Sequence, residues 1–148
     1  MKKIFLVAII VLFSLNQVSA NSNSITANAA AVDITPPLEM KYTLGGYGKR
    51  MNRPAEGIHD HIWAKALALK KGSEKYVIVT IDILGLPANV KPDLLKRLEG
   101  KGWSAENMML LPSHSHVSLE MAAVNSKNVF GVPQIGIFQP ELLDFFIA

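Results

Sequence analysis

Two histidines separated by one residue, His114 and His116, have the types and spacing best suited to chemistry in this chain. They follow Met108–Leu111, an apolar run typical of a buried strand. Side chains two residues apart in an extended chain point to the same side, so both imidazoles are expected to face one spot at a strand end. Imidazole is the commonest metal ligand and exchanges protons near neutral pH. A bare pair of this kind also fits two hydrogen-bonded loop histidines, but a strand end of an α/β sheet is where ligands bind. The pair therefore predicts a metal-dependent hydrolase.

His59 and His61 repeat the same spacing earlier in the chain. A catalytic zinc ion needs three protein ligands and an open position, which four histidines could in principle supply. Because His59 and His61 precede a different strand, we expect them at the opposite end of the sheet from His114. The His-x-His-x-Asp-His pattern of metallo-β-lactamase-like hydrolases fails, since Ser118 stands where the aspartate is needed. Amidohydrolases stay an alternative. In that class the histidine pair follows the first strand of the barrel, whereas at least two predicted strands precede the pair in this chain.

The elements that must position these residues are predicted to form an α/β fold, a mixed, layered β-sheet with helices outside. Alternating or β-branched runs predict strands over residues 29–34, 62–69, 76–83 and 107–111. The middle two are expected to pair as a hairpin. A helix near residues 92–98 is expected to stop at Gly100, and a second helix begins after Gln139. The strand–helix–strand order before His114 predicts a parallel crossover.

The first 20 residues have the pattern of a secretory signal peptide. Lys2 and Lys3 form a positive start, residues 4–13 are apolar, and a Val-Ser-Ala site for cleavage ends at Ala20. The apolar stretch is shorter than the roughly 20 residues needed to span a bilayer. We therefore predict an exported protein, periplasmic or secreted, with a signal peptide at residues 1–20. Residues 21–30 are interpreted as a flexible lead-in, and residues 31–148 as one domain.

Composition argues against two classes of partner. The chain has 15 basic and 12 acidic residues, so without the two leader lysines 13 basic residues remain and the net charge is +1. Such a balance, without a dense basic patch, predicts no nucleic-acid partner. The chain contains no cysteine, which excludes a disulfide partner, a thiolate zinc site and a cysteine nucleophile.

Several blocks, taken in order, resemble the N-terminal catalytic domain of neutral (alkaline, non-lysosomal) ceramidases. The similarity spans roughly residues 31–148, and the order and spacing of the blocks make it specific. The blocks are the opening strand at residues 31–36, Gly-Gly-Tyr-Gly at 45–48, Gly-Ile-His at 57–59 with Trp-Ala-Lys-Ala at 63–66, Val-Thr-Ile-Asp-Ile-Leu-Gly at 79–85, and residues 107–116 with the histidine pair.

This resemblance implies a hydrolase that cleaves the amide bond of ceramide with one zinc ion held by two His, a Glu and a Tyr. Carried onto this sequence, His114 is the first zinc ligand, and His116 hydrogen-bonds the substrate and stabilises the tetrahedral intermediate. Gly46 and Gly48 are expected to line the substrate pocket, although turn geometry alone also explains glycine there. Asp82 is expected to orient a histidine, with capping of a loop as the alternative.

Two departures from the family pattern limit what the resemblance implies. The family continues Ser-Gly-Pro after its second histidine, whereas this chain has Val117, Ser118 and Leu119, so the pocket wall is expected to differ. The other three zinc ligands are expected beyond Ala148, where an apolar helix stops without a cap. This chain alone is therefore expected to be an inactive fragment.

The partner expected from the resemblance is a ceramide-like lipid substrate, together with peripheral membrane contact. Two alternatives stay open: a zinc amidohydrolase for a different N-acyl substrate, and a non-catalytic exported binding protein with the same fold.

Overall fold

A computed structural model describes residues 24–128, 131–132 and 136–148 of the chain. Within them, the strands β1 (Ile25–Asp33), β2 (Trp63–Lys71), β3 (Glu74–Ile81) and β4 (Met108–Pro112) form one sheet in that order. Short 3₁₀ helices cover Leu38–Met40, Gly48–Arg50 and Met121–Val124. The two α-helices are α1 (Val90–Arg97) and α2 (Pro140–Phe146).

The sheet is mixed, as the sequence predicts. β1 and β2 are antiparallel, β2 and β3 form the predicted antiparallel hairpin, and β3 and β4 are parallel. Gly72, in the two-residue hairpin turn, has a φ of 59°, a left-handed conformation that costs glycine no steric penalty. Parallel neighbours need a crossover connection, and the segment carrying α1 supplies it between β3 and β4. The α/β class and the parallel crossover are therefore confirmed.

The hydrophobic core lies on one face of the sheet. Alternate residues of the strands, such as Val77, Ile81 and Met108, point to that face and are buried. Residues from α1, α2, the 3₁₀ helix Met121–Val124 and the loops after β3 and β4 complete the core, including Ile83, Val90, Leu119, Val124 and Leu142.

The predicted flexible lead-in at residues 21–30 is wrong from Ile25 onward. β1 begins at Ile25 and pairs over its whole length with β2, from Ile25 opposite Lys71 to Asp33 opposite Trp63. All nine residues of β1 are exposed, so backbone pairing rather than side-chain burial defines this strand. A burial pattern therefore could not reveal it.

The predicted signal peptide at residues 1–20 lies outside the described residues. Within the part of the chain that the structure describes, no helix has the length and apolar character needed to cross a membrane.

Candidate functional site

One edge of the sheet gathers all the histidines. β3 and β4 are parallel, so their carboxyl ends coincide, with Ile81 opposite Pro112. β2 runs the other way, and its second residue, Ala64, lies opposite Ile81. The expectation that His59 and His61 lie at the opposite end from His114 is therefore wrong, because the start of an antiparallel strand lies beside the end of its neighbour.

His59 and His61 each lie against a carboxylate at this edge of the sheet. Nδ1 of His61 lies 2.5 Å from Oδ2 of Asp33, and Nδ1 of His59 lies 2.7 Å from Oδ2 of Asp60. The hydrogen bond with the Asp60 carboxylate raises the pKa of His59. Between these residues and the backbone after β4 lies a cleft of about 530 Å³, whose lining includes Thr35, Tyr42, Asp82, Ser113 and Ser115.

The chain leaves β4 by a turn rather than by continued extension. Ser113 makes the last bond to the strand, donating its N–H to the Ile81 carbonyl at 2.9 Å. His114 then adopts a left-handed backbone with a φ of 63°. The extended geometry expected for the pair is therefore wrong beyond Pro112. The two imidazoles nevertheless meet, because the turn brings the ring centroids of His114 and His116 to 5.2 Å with their planes at 80°.

A backbone carbonyl orients the His114 ring. Its Nδ1 lies 2.9 Å from the carbonyl oxygen of Leu84 in the loop after β3. A carbonyl oxygen only accepts hydrogen bonds, so Nδ1 must carry the proton, and a neutral ring then has its lone pair on Nε2. This is the arrangement of a zinc-binding histidine held from behind by a second group. His114 therefore fits the metal-ligand role expected from the sequence.

Asp82 has a different partner from the histidine expected of it. Its Oδ2 accepts a hydrogen bond from the N–H of Trp63 at 3.1 Å, and its own N–H donates to the Trp63 carbonyl at 3.0 Å. Asp82 thus joins the end of β3 to the start of β2, which corresponds to the capping alternative. The group that orients His114 is the Leu84 carbonyl. Sequence reasoning missed this role of Leu84 because any residue type offers a carbonyl.

The glycine loop, residues 45–48, lies directly against His116. Gly46 has a φ of 76°, and a Cβ added there would lie 2.3 Å from Nδ1 of His116. Only glycine permits this approach of backbone to ring. Tyr47 meets the His116 ring edge-on, with centroids 5.9 Å apart. Gly48 is exposed and begins the 3₁₀ helix Gly48–Arg50. Of the two glycines expected to line the pocket, Gly46 touches His116.

A glutamate that sequence reasoning missed lies beneath this loop. Oε2 of Glu120 accepts from the Gly46 N–H at 3.0 Å, and Oε1 accepts from the Ala122 N–H at 3.2 Å. Glu120 follows His116 by four residues, but its partner Gly46 is 74 residues away. No spacing in the sequence indicates such a contact.

A metal centre would need more ligands than the described residues bring together. No group of three or more His, Asp or Glu side chains is arranged to hold a metal ion within residues 24–128, 131–132 and 136–148. What the described residues do bring together is the two imidazoles of His114 and His116, with ring centroids 5.2 Å apart.

Residues 27–146 match the family described as neutral/alkaline non-lysosomal ceramidase, N-terminal. No curated protein sequence matches the chain significantly.

Two solved structures are similar to the chain. One is a ceramidase complexed with C2, with a TM-score of 0.70 and 22% identity, covering 84% of this chain and 19% of that chain. The other is the neutral ceramidase from Pseudomonas aeruginosa, with a TM-score of 0.71 and 22% identity, covering 86% of this chain and 20% of that chain. At this identity the likeness establishes a shared fold, and this chain spans about a fifth of the length of either protein.

Proposed function

This chain belongs to the neutral/alkaline non-lysosomal ceramidase family, and from that membership we propose that it supplies part of the catalytic centre of a zinc-dependent hydrolase. The reaction is cleavage of the N-acyl amide bond of ceramide or a related N-acyl lipid. The observation that carries the proposal is the His114 ring, which is hydrogen-bonded through Nδ1 and so offers Nε2 at the edge where β3 and β4 end.

Zinc, when bound, supplies a water of lowered pKa and polarises the amide carbonyl. In this chain, Nε2 of His114 would hold the ion. The Leu84 carbonyl keeps the His114 ring in the required tautomer and limits its rotation. Such supporting bonds typically change metal affinity or activity 10- to 100-fold in metalloenzymes. The remaining ligands are proposed to come from other parts of the enzyme.

His116 is proposed to bind the reacting carbonyl of the substrate. Its ring is exposed, contacts the His114 ring and is flanked by Gly46 and Tyr47. A ring N–H aimed at the carbonyl oxygen would stabilise the negative charge that develops there as water adds. The Gly46 contact restrains the ring beforehand, so little reorientation is needed during the reaction.

The glycine loop is proposed to be one wall of the substrate pocket. Gly46 and Gly48 are both exposed, so the backbone of the loop is open to a polar head group. Val117, which follows His116 in the chain, is 69% exposed and presents an apolar side chain. Polar backbone and an apolar side chain near the histidines suit an N-acyl lipid, which has both a polar head and acyl chains.

Zinc content and hydrolysis, measured on one purified sample, test this proposal. Both are measured for this 148-residue chain and for the polypeptide encoded by its whole reading frame, with ceramide and a panel of other N-acyl substrates. Zinc and ceramide turnover together support the proposal. If the sample contains zinc but hydrolyses only another N-acyl substrate, that compound would replace ceramide as the proposed substrate. Absence of zinc from every sample would contradict the metal assignment and favour a non-catalytic binding protein.

Export is proposed separately, from the leader pattern at residues 1–20. Mass spectrometry of the protein recovered outside the cytoplasm is expected to show an N-terminus at Asn21. Retention of Met1 in that fraction would contradict cleavage. Vesicle co-sedimentation of the same sample tests the expected peripheral membrane contact.

A further inference from the structure

We propose that Glu120 is a positioning residue that holds the glycine loop against the ring of His116. The inference rests on the proposed role of His116 in hydrolysis. Glu120 does not act on the substrate itself. It acts through the backbone of Gly46, which it binds.

The segments before Gly46 and after His116 run side by side as a short antiparallel ladder. Leu44 pairs with Leu119, the Gly45 N–H donates to the Ser118 carbonyl at 2.7 Å, and the Glu120 N–H donates to the Thr43 carbonyl at 2.9 Å. Ser118 and Leu119 are each only 2% exposed. This buried ladder fixes the base of the glycine loop relative to the segment that follows His116.

The backbone hydrogen bonds of this ladder end at Gly45. The next N–H, that of Gly46, is bonded by the side-chain carboxylate of Glu120. One oxygen accepts from Gly46 and the other from Ala122, the second residue of the 3₁₀ helix Met121–Val124. Hydrogen bonds to an ionised carboxylate are stronger than those between neutral groups. A single side chain therefore fixes both the glycine loop and the helix that follows it.

The aliphatic stem of Glu120 is also held in place. A Cβ added to Gly136 would lie 2.9 Å from Cγ of Glu120, so the backbone there packs closely on the stem. Gly136 is buried. The carboxylate consequently has little freedom to leave the Gly46 N–H.

By bonding the Gly46 N–H, Glu120 fixes the stretch of backbone that packs against the His116 ring. The Gly46 backbone lies so close to Nδ1 of His116 that a single added methyl carbon would overlap the ring. If the Gly46 N–H loses its acceptor, the loop can shift and the ring loses the restraint on its orientation. The expected result is a catalytic defect without loss of the fold.

Glu120→Asp separates this role from capping of the 3₁₀ helix. Aspartate is a good N-cap, so the bond to the Ala122 N–H survives, but its shorter side chain does not reach Gly46. In ¹⁵N-labelled 148-residue chain, we expect the Gly46 amide and His116 ring resonances to move, while the Ala122 amide and the Tm stay as in the wild type. In the enzyme from the whole reading frame, kcat is expected to fall roughly 10- to 100-fold with zinc content unchanged.

Glu141→Gln is the matched control, because Glu141 is an exposed glutamate in the first turn of α2. It is expected to leave the Gly46 and His116 resonances, the Tm and kcat unchanged. The proposal is overturned if Glu120→Asp leaves the Gly46 and His116 resonances in place. It is also overturned if that variant lowers the Tm and moves resonances throughout the sheet, since Glu120 would then be merely structural. If those resonances move while every sample, wild type included, hydrolyses nothing, the proposed function fails and the positioning role stands.

Discussion

The backbone of His114 is held in a conformation that an unconstrained residue rarely adopts. Its φ of 63° lies in the left-handed region, which costs an L-residue roughly 1–2 kcal/mol. Residues in such conformations cluster at functional sites, where surrounding structure enforces them. Here the Ser113 bond to Ile81 and the ring bond to Leu84 hold His114 from both sides. Such enforced strain is what we expect of a residue with the metal-ligand role proposed for His114.

The two histidines are expected to fail in different ways when replaced. In the enzyme from the whole reading frame, His114→Ala is expected to abolish stoichiometric zinc binding because it removes the proposed ligand. His116→Ala is expected to retain zinc and to lower kcat about 10²- to 10³-fold, as when one oxyanion donor is lost. Zinc analysis and steady-state kinetics on both variants check this. Equal zinc content in wild type and His114→Ala would contradict the ligand assignment.

Gly46→Ala is expected to damage function more than stability. The new Cβ would lie 2.3 Å from Nδ1 of His116, and the positive φ would add about 1–2 kcal/mol of strain. Because the imidazole is exposed, it can rotate away and relieve the clash, but it then leaves the position proposed for catalysis. We expect a Tm decrease of a few degrees and a loss of activity similar to that of His116→Ala. Gly57→Ala is the control, since a Cβ there meets nothing within 4 Å.

At the scale of elements, hydrogen bonds between strand ends assemble the site's edge. Thr35 donates its N–H to Oδ1 of Asp33 at 2.8 Å, and its hydroxyl accepts from the N–H of Ile62 at 2.9 Å. Ile34 donates to the Ile62 carbonyl at 2.9 Å. These bonds join the end of β1 to the start of β2 and thereby place His61 beside Asp33.

Asp33→Asn is expected to destabilise the chain in a pH-dependent way. The hydrogen bonds from Thr35, followed by the contact with His61, lower the pKa of Asp33 in the folded state. A lowered pKa means that the ionised carboxylate favours folding, so its contribution is complete above the ordinary value of 3.8 and is lost as the pH falls through the depressed folded value. Urea unfolding at pH 7 should therefore show a less stable variant, and the difference should shrink as the pH falls below 3.8.

Asp60→Asn provides the control for that series. Asp60 also pairs with a histidine, but both side chains are almost fully exposed, at 86% and 96%. Ion pairs of this kind contribute little to stability. An Asp33→Asn effect that does not change between pH 7 and pH 3 would show that ionisation of Asp33 is unimportant for folding.

At the scale of the whole molecule, the sheet has one covered face and one open face. Cross-strand neighbours Leu67, Ile78 and Met109 lie side by side on the open face. Leu67 is 40% exposed and Met109 is 54% exposed, and nearby Tyr76 and Leu111 are also exposed. Contiguous apolar surface of this kind favours association.

The double variant Leu67→Lys, Met109→Lys is expected to reduce self-association of the 148-residue chain with little change in Tm. Exposed substitutions of this sort usually change stability by about 0.5 kcal/mol or less. Sedimentation velocity at several concentrations measures association. Val77→Lys on the buried face of the same sheet, where the wild-type residue is 7% exposed, should instead unfold the chain. Unchanged sedimentation of the double variant would show that the open face does not drive association.

The sequence alone determined the elements whose own side chains are patterned. The β-branched run of β3, the apolar run of β4, the hairpin turn at Gly72 and the proline that begins α2 each carry a local physical reason for their conformation. The sequence also revealed the histidine pair, its place after β4 and the resemblance to the family, because these depend only on residue types and their spacing.

Tertiary structure decided whatever depends on partners distant in the chain. β1 begins at Ile25 because β2 offers a paired edge, although none of its nine side chains is buried. His59 and His61 share an edge with His114 because β2 is antiparallel to β3. Backbone groups, which every residue type possesses, orient His114 and pack on His116. The hydrogen bond of Glu120 to Gly46 spans 74 residues. A residue's type and spacing can indicate which chemistry is available, but only the folded chain determines which groups meet.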